Sequence, residues 1–298
     1  MVDFDLRSAN TRLRANNPLI QCITNTVVQQ FSANVLLAIG AAPAMLDHDA
    51  DAAQFTRIAS GLLVNFGTAT NQQFLAADAA IDAANEDSKP WVLDPVSIGA
   101  VDFRTTRIRR AANSSPTAIR GNASEIAALA GMGLGGRGVD STDEVDAVIP
   151  AAAALARSTG AIVAVSGPRD AIVAHIDGAD RVVRLDGGHS YMPLVIGTGC
   201  SLGAVTAAYL VGATTASARF EAVVAAHAHF KVAGEAAAEG VRGPGSFSVN
   251  FLDVLHTVTG EELARIQVEA GTVAAGTVAA GAVGADAVGA DAVDGAQS

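Results

Sequence analysis

The chain has 298 residues, half of them apolar and only 4% aromatic, and a formal charge of -11 at pH 7. That balance argues against a nucleic-acid or anionic-membrane surface, which needs clustered Lys and Arg, and no such run occurs. The length suits one large α/β unit with an appendage, its core built from Ala, Val, Leu and Ile as when helices cover a buried parallel sheet.

The first 17 residues carry Asp3, Asp5, Arg7, Arg12 and Arg14 and lack the apolar core of a secretory signal. From there short β-branched runs alternate with longer alanine-rich ones. A strand is predicted over 19–23, a helix over 29–39, a strand over 62–65 and a helix over 72–84. Strands over 91–94 and 117–120 precede helices over 124–130 and 145–158. Strands over 162–166, 171–175 and 182–185 then lead to helices over 202–211 and 220–240. That order implies crossover connections and a mostly parallel sheet. No stretch has the length and unbroken apolarity of a spanning helix. Cys22 and Cys200 show no metal-ligand spacing and imply neither a disulfide framework nor a zinc site, which fits a reducing cytoplasm.

Four apolar runs end directly in polar turns: Asn65-Phe66-Gly67-Thr68, Asp94-Pro95, Arg120-Gly121-Asn122 and Ser166-Gly167. Ligands in open α/β sheets bind off the carboxyl edge, so the four turns together are expected to converge, although any one alone reads more readily as an ordinary strand-to-helix turn. The glycine-dense stretch 131–138 reads as a flap or a plain surface loop, and it is no P-loop because no Gly-Lys-Ser/Thr follows. Past residue 270 valine recurs every fifth position, at Val273, Val278, Val283, Val288 and Val293, a period of neither helix nor strand. Disorder is expected there, because so little side-chain bulk cannot offset the entropy of ordering. The folded domain is therefore placed at 1–267 and the tail at 268–298.

The densest signal is Ile196-Gly197-Thr198-Gly199-Cys200-Ser201-Leu202-Gly203, a glycine-rich turn running into an apolar helix with a thiol at the junction. Free amides and the helix dipole make such a place an anion site, with Gly197 and Gly199 admitting a phosphoryl group and Cys200 beside it with a lowered pKa. The same residues also describe a glycine turn whose cysteine packs as a small hydrophobe, and local sequence does not choose between the two.

Taken with Thr24-Asn25, Ala42-Pro43-Ala44-Met45, Asp94-Pro95-Val96, Arg120-Gly121-Asn122-Ala123-Ser124-Glu125-Ile126 and Gly243-Pro244-Gly245-Ser246-Phe247, this ordered series resembles the hydroxyethylthiazole kinase family of the ribokinase-like fold. The likeness runs from about Asn17 to about Leu255. It implies a three-layer α/β/α sandwich with a mostly parallel central sheet. It also implies transfer of the ATP γ-phosphoryl group to the primary alcohol of 4-methyl-5-(2-hydroxyethyl)thiazole, a step of thiamine synthesis and salvage. On matching positions, the turn from Gly197 through Gly199 to Cys200 is the anion hole, and Cys200 assists the alcohol. Asp94 and Glu125 hold Mg2+ partly through water, a role that suits hard oxygen ligands. Arg120 and Ser166 bind ATP. Asn25, Met45, Gly67 and Gly197 shape the thiazole pocket. The family forms homotrimers with the active site at the subunit boundary.

Three departures stand out from the family pattern: Ser97 where glycine is common after Asp-Pro-Val, Phe66 in the Asn-Ile-Gly-Thr turn, and Pro168-Arg169 after Ser166-Gly167. Rival readings are another small-alcohol kinase of the same fold, a non-catalytic sensor, and a thiol acyltransferase using Cys200.

Overall fold

The computed structural model describes residues 4–132 and 142–273. In chain order the elements are α1 (Leu6–Asn16), β1 (Leu19–Ile23), α2 (Gln29–Ile39), β2 (Ala42–Ala44), α3 (Ala52–Ile58), β3 (Gly61–Asn65), α4 (Asn71–Glu86) and β4 (Trp91–Asp94). They continue with α5 (Asp102–Ala112), β5 (Ala118–Asn122), α6 (Ala123–Leu129), α7 (Thr142–Thr159), β6 (Ile162–Ser166), β7 (Asp170–Ile176) and β8 (Ala179–Leu185). A single 3-10 turn, Met192–Leu194, precedes α8 (Thr198–Leu210), α9 (Ala216–Ala236), α10 (Pro244–Thr257), α11 (Gly260–Leu263) and β9 (Val268–Thr272).

One sheet runs in the order β2-β1-β3-β4-β5-β6-β7-β8-β9, parallel as far as β6 and antiparallel beyond it. The side-chain period of two sorts its residues between two cores. Leu63, Val92, Ala118 and Ala164 face a cluster shared with α1, α2, α8, α9 and α10. Leu62, Val64, Leu93, Ile119 and Val163 face a cluster shared with α4, α5, α6 and α7. This is the expected three-layer sandwich. Alanine does much of the covering because a short side chain lets a helix backbone lie close to the sheet.

Helix α8 is covered on all sides, by β3 and β4 below and by α2 and α9 beside it, and from Ser201 to Leu210 every residue is buried. A helix apolar all round is what such a central position demands. Gly203 lets it sit there, since a Cβ at that position would meet Leu63 Cδ1 at 2.9 Å.

Several elements escape the sequence reading. α5 buries Thr105, Ile108, Ala111 and Ala112 and exposes arginines, so its apolar stripe is too thin to register as periodicity. β2 is only three residues long and holds Pro43, which suits an edge strand. α1, α3, α10 and α11 are likewise unassigned in the sequence reading. At the carboxyl end β9 pairs antiparallel with β8, matching Leu185 to Val268 and Arg181 to Thr272. The sheet therefore runs past Gln267, where the sequence reading ends the domain, and takes in the first residues assigned to the tail. The rest of the repeat, 274–298, and most of the glycine-dense stretch, 133–141, lie outside the described residues.

Candidate active site

The carboxyl ends of β3, β4, β5 and β6 and the amino end of α8 meet on one edge of the sheet, as the four polar turns predict. Two adjoining chambers open there. The first, about 430 Å³, is lined by Asn25, Gly67, Asp94, Glu125, Gly197 and Cys200 among others. The second, about 510 Å³, is lined by Ser166, Gly167, Gly188, His189, Met192 and Lys231 among others. Arg120, Asn122, Thr198 and Gly199 belong to both walls, so the chambers join at the start of α8.

The helix begins one turn earlier than periodicity indicates. Gly197, at φ 101, is its N-cap residue, and Gly199 and Cys200 occupy the first turn, so the thiol lies inside the helix and not at a junction before it. No side chain caps this end, and the Thr198 amide turns back to the Val195 carbonyl at 3.4 Å. Gly199 and Cys200 fall in the first turn, where helix amides lack intrahelical partners, and both residues line the first chamber at the positive end of the dipole. Glycine is required at Gly197 by its left-handed backbone and leaves room for Arg120 at Gly199. A Cβ at Gly197 would meet Phe31 Cδ1 at 2.8 Å, and one at Gly199 would meet Arg120 Nη1 at 3.2 Å.

Asp94 ends β4 with its side chain 1% exposed. Its Oδ1 accepts from the Val96 amide at 3.2 Å, Oδ2 lies 3.6 Å from Arg120 Nη1, and Oδ2 is buried without a hydrogen bond. Burial lifts its carboxyl to about 7 against the pull of Arg120, with the Glu125 charge adding to the rise and the Asn65 and Val96 amides opposing it. Glu125 closes a capping box at the start of α6: its Oε2 accepts from the Asn122 amide at 2.9 Å, and Asn122 Oδ1 accepts from the Glu125 amide at 2.9 Å. Arg120 donates to Ser166 Oγ, and Ser166 Oγ donates in turn to the Gly121 carbonyl at 3.3 Å.

On the other side of the chamber, Asn25 Nδ2 donates to Asn65 Oδ1 at 3.1 Å and to Cys200 Sγ at 3.4 Å. Asn65 Oδ1 also accepts from the Gly67 amide at 3.1 Å, and a Cβ at Gly67 would meet Asn25 Cβ at 3.1 Å. Glycine there leaves room for the turn after β3 to close against Asn25. Asn65, which in the sequence is only part of a turn, holds both Gly67 and the Asn25 amide that reaches the thiol. Its signal was a buried amide ending an otherwise apolar strand.

One expectation needs correction. Burial and the Asp94 charge push the Cys200 thiol up, and Arg120 with the two asparagines offsets them only in part, so the thiol is not the low-pKa group that a helix N-terminus alone suggests. Met45 follows β2 half-buried against the core cluster and lines neither chamber of this chain. The departure at Ser97 has a visible cost: it lines the first chamber at φ 72, a left-handed conformation that glycine adopts without strain.

Among the described residues no cluster of three His, Cys, Asp or Glu could hold a metal by protein ligands alone. Both cysteines are free thiols. No helix among the described residues is long and apolar enough to cross a membrane.

A sequence model described as the hydroxyethylthiazole kinase family matches residues 11–261. The hydroxyethylthiazole kinase of Corynebacterium glutamicum strain R is 52% identical over 258 residues, covering 86% of this chain and 94% of that protein. The solved hydroxyethylthiazole kinase protein of Pyrococcus horikoshii OT3 superposes with a TM-score of 0.79 at 31% identity, covering 89% of this chain and 98% of the other. Pyridoxal kinase from Staphylococcus aureus, solved in complex with AMP-PCP, shares the fold at a TM-score of 0.58 and 15% identity, covering 86% and 98% of the two chains. The ribokinase-like sandwich expected from the sequence is thus the fold observed.

Proposed function

The chain belongs to the hydroxyethylthiazole kinase family, and we propose that it phosphorylates the thiazole alcohol where its two chambers join, with ATP in the larger chamber and the thiazole in the smaller. The observation that carries this placement is the uncapped start of α8, where Gly199 lies against the Arg120 guanidinium at the junction and Cys200 lines the smaller chamber. Amides and a guanidinium fixed before reaction suit the negative charge on a phosphoryl group in flight, and phosphoryl transfer depends on positioning and charge neutralisation above all.

Arg120, steadied by Ser166, would neutralise the nucleotide phosphates. Asn25, fixed by Asn65, and Gly67 would frame the thiazole ring, the amide pairing with a ring heteroatom or the alcohol. Cys200, a neutral thiol near pH 7 by virtue of its burial, would orient the hydroxyl instead of removing its proton in advance. General-base help is worth about 10²–10⁴-fold, so a kinase that relies on amides and charge can work without it.

Mg2+ fits the acid side of the chamber. Asp94 Oδ2 is buried with no hydrogen bond, and Glu125 lines the same wall. A site of one or two carboxylates completed by phosphates and water is what this ion takes. Asp94 and Glu125 would hold it, partly through water, and the chemistry it would supply is neutralisation of phosphate charge.

Exposed Val27 (64%), Leu194 (62%) and Ile196 (69%) stand beside the smaller chamber, and β2 leaves one edge of the sheet unpaired. Both features support a homotrimer that closes the thiazole site at the subunit boundary, with Met45 reaching a neighbouring chain's chamber. A working place in the cytoplasm agrees with a free thiol in the site.

The test is to titrate purified protein with the thiazole alcohol and MgATP, following the phosphate ester by mass spectrometry, and to repeat it with Arg120→Met. We expect ester formation that needs both substrates and Mg2+, and a nucleotide KM raised at least about tenfold in the variant. A nucleotide found bound away from the start of α8 in a soaked crystal would refute the placement.

A further inference from the structure

The wall of the larger chamber contains a buried ionic group that the proposed reaction does not use. Asp170, the first residue of β7, is 4% exposed at its side chain and faces two residues one turn apart on α9, His227 and Lys231. His227 Nδ1 lies 2.7 Å from Asp170 Oδ2, and Lys231 Nζ lies 3.0 Å from Asp170 Oδ1. Lys231 Nζ also donates to the Gly167 carbonyl at 2.7 Å and the Pro168 carbonyl at 2.9 Å, and the Gly167 amide donates to Asp170 Oδ1 at 2.9 Å.

An ammonium has three protons, and these three acceptors use all of them. Lys231 cannot reach a phosphate without giving one up, although it lines the chamber. What it does instead is draw two carbonyl oxygens of the turn after β6 toward itself. Left free, those oxygens would present negative ends to the polyphosphate. Pro168 supplies no amide to compensate, and Gly167 is packed so closely that a Cβ there would meet Val145 Cγ2 at 2.6 Å. The residue before this turn is Ser166, the partner of Arg120.

A buried charge pair is costly to desolvate, and apolar residues of similar volume commonly fold as well or better. Packing therefore does not account for a lysine here. Burial pushes the Asp170 carboxyl up, but Lys231 and the His227 hydrogen bond outweigh it and hold the group at about 2, so Asp170 is a carboxylate across the working range.

We propose that Lys231, anchored by Asp170 and His227, is a positioning residue for the nucleotide: it holds the turn at residues 166–168 so that Ser166 and Arg120 face the polyphosphate and the turn carbonyls do not. The proposal rests on the placement of ATP in the larger chamber.

The test compares wild type, Arg120→Met and the double variant Asp170→Asn/Lys231→Met, in which no unpaired charge is left in the core. For the folded double variant we expect the KM for ATP to rise about tenfold or more while the KM for the thiazole stays within about twofold. Loss of a merely structural residue would change both together or neither. An unchanged ATP KM beside a raised one in Arg120→Met overturns the role of Lys231 alone. Unchanged values in both variants overturn the chamber assignment and this role with it. If the double variant does not fold, hydrogen exchange on the wild type decides. AMP-PCP should slow exchange of the segment 166–172 and the thiazole alone should not, and equal slowing by both overturns the proposal.

Discussion

Asp94 should trade stability for chemistry, and Asp94→Asn separates the two. In the unfolded chain its carboxyl has the ordinary value of 3.8, while in the folded protein burial lifts it to about 7. Below 3.8 the group is neutral in both states and costs nothing. As pH rises the unfolded chain sheds the proton first, so the fold loses stability until pH passes about 7, where the full cost is reached. Linkage puts that cost between about 1 and 2 kcal/mol at pH 5 and at about 4 kcal/mol at pH 8. An asparagine is neutral throughout and its oxygen can still accept from the Val96 amide. Urea unfolding of both proteins at the two pH values measures the gap directly, and contributions common to both, such as buried His229 with its depressed value of about 4, cancel. We expect Asp94→Asn to be more stable than wild type by about 2–4 kcal/mol at pH 8 and by less than half of that at pH 5, with kcat/KM lowered at least about 100-fold. A variant no more stable at pH 8, or a gap that does not widen between pH 5 and 8, would refute the account of Asp94 as a desolvated carboxylate.

Three further outcomes follow from the geometry. With its thiol raised by burial and by Asp94, Cys200 should react with iodoacetamide more slowly at pH 7.5 than a free cysteine, at a rate still climbing above pH 9; a plateau below pH 8 would mean a stabilised thiolate. Cys22, fully buried and pushed up to about 12, should not react in the folded protein. Gly197→Ala places a Cβ against Phe31 at a φ of 101, and we expect a loss of about 1–2 kcal/mol in stability and about 10–100-fold in kcat/KM; near-normal kinetics would show that the start of α8 need not be held so tightly. Ser97→Gly releases a left-handed serine and should raise stability by about 0.5–1 kcal/mol in thermal unfolding, whereas a loss would show that the serine hydroxyl contributes more than the strain costs.

Much of the architecture is legible in local pattern. β1, α2, β4 and β6 have the bounds that periodicity assigns them, and four polar residues ending apolar runs mark the edge where the chambers open. These are local properties, because burial of one face and the end of a strand leave their trace in neighbouring residues. Thin-striped α5, three-residue β2 and Pro-led α10 left too little trace, and β9 forms only because β8 offers a free edge.

The chemistry of the site was less legible. The sequence by itself determined which side chains are available: amides after glycines, an arginine, two carboxylates and a thiol. Only the tertiary structure decided their character. A helix N-terminus taken alone lowers a thiol pKa, yet burial in the assembled fold, together with Asp94 brought beside Cys200 from more than a hundred positions earlier in the chain, reverses the direction. Lys231 reads as one charge on an alanine-rich helix until β7 brings Asp170 under it. Periodicity is set by neighbours along the chain, whereas burial and charge act through space, and strand pairing across long separations determines which charges meet.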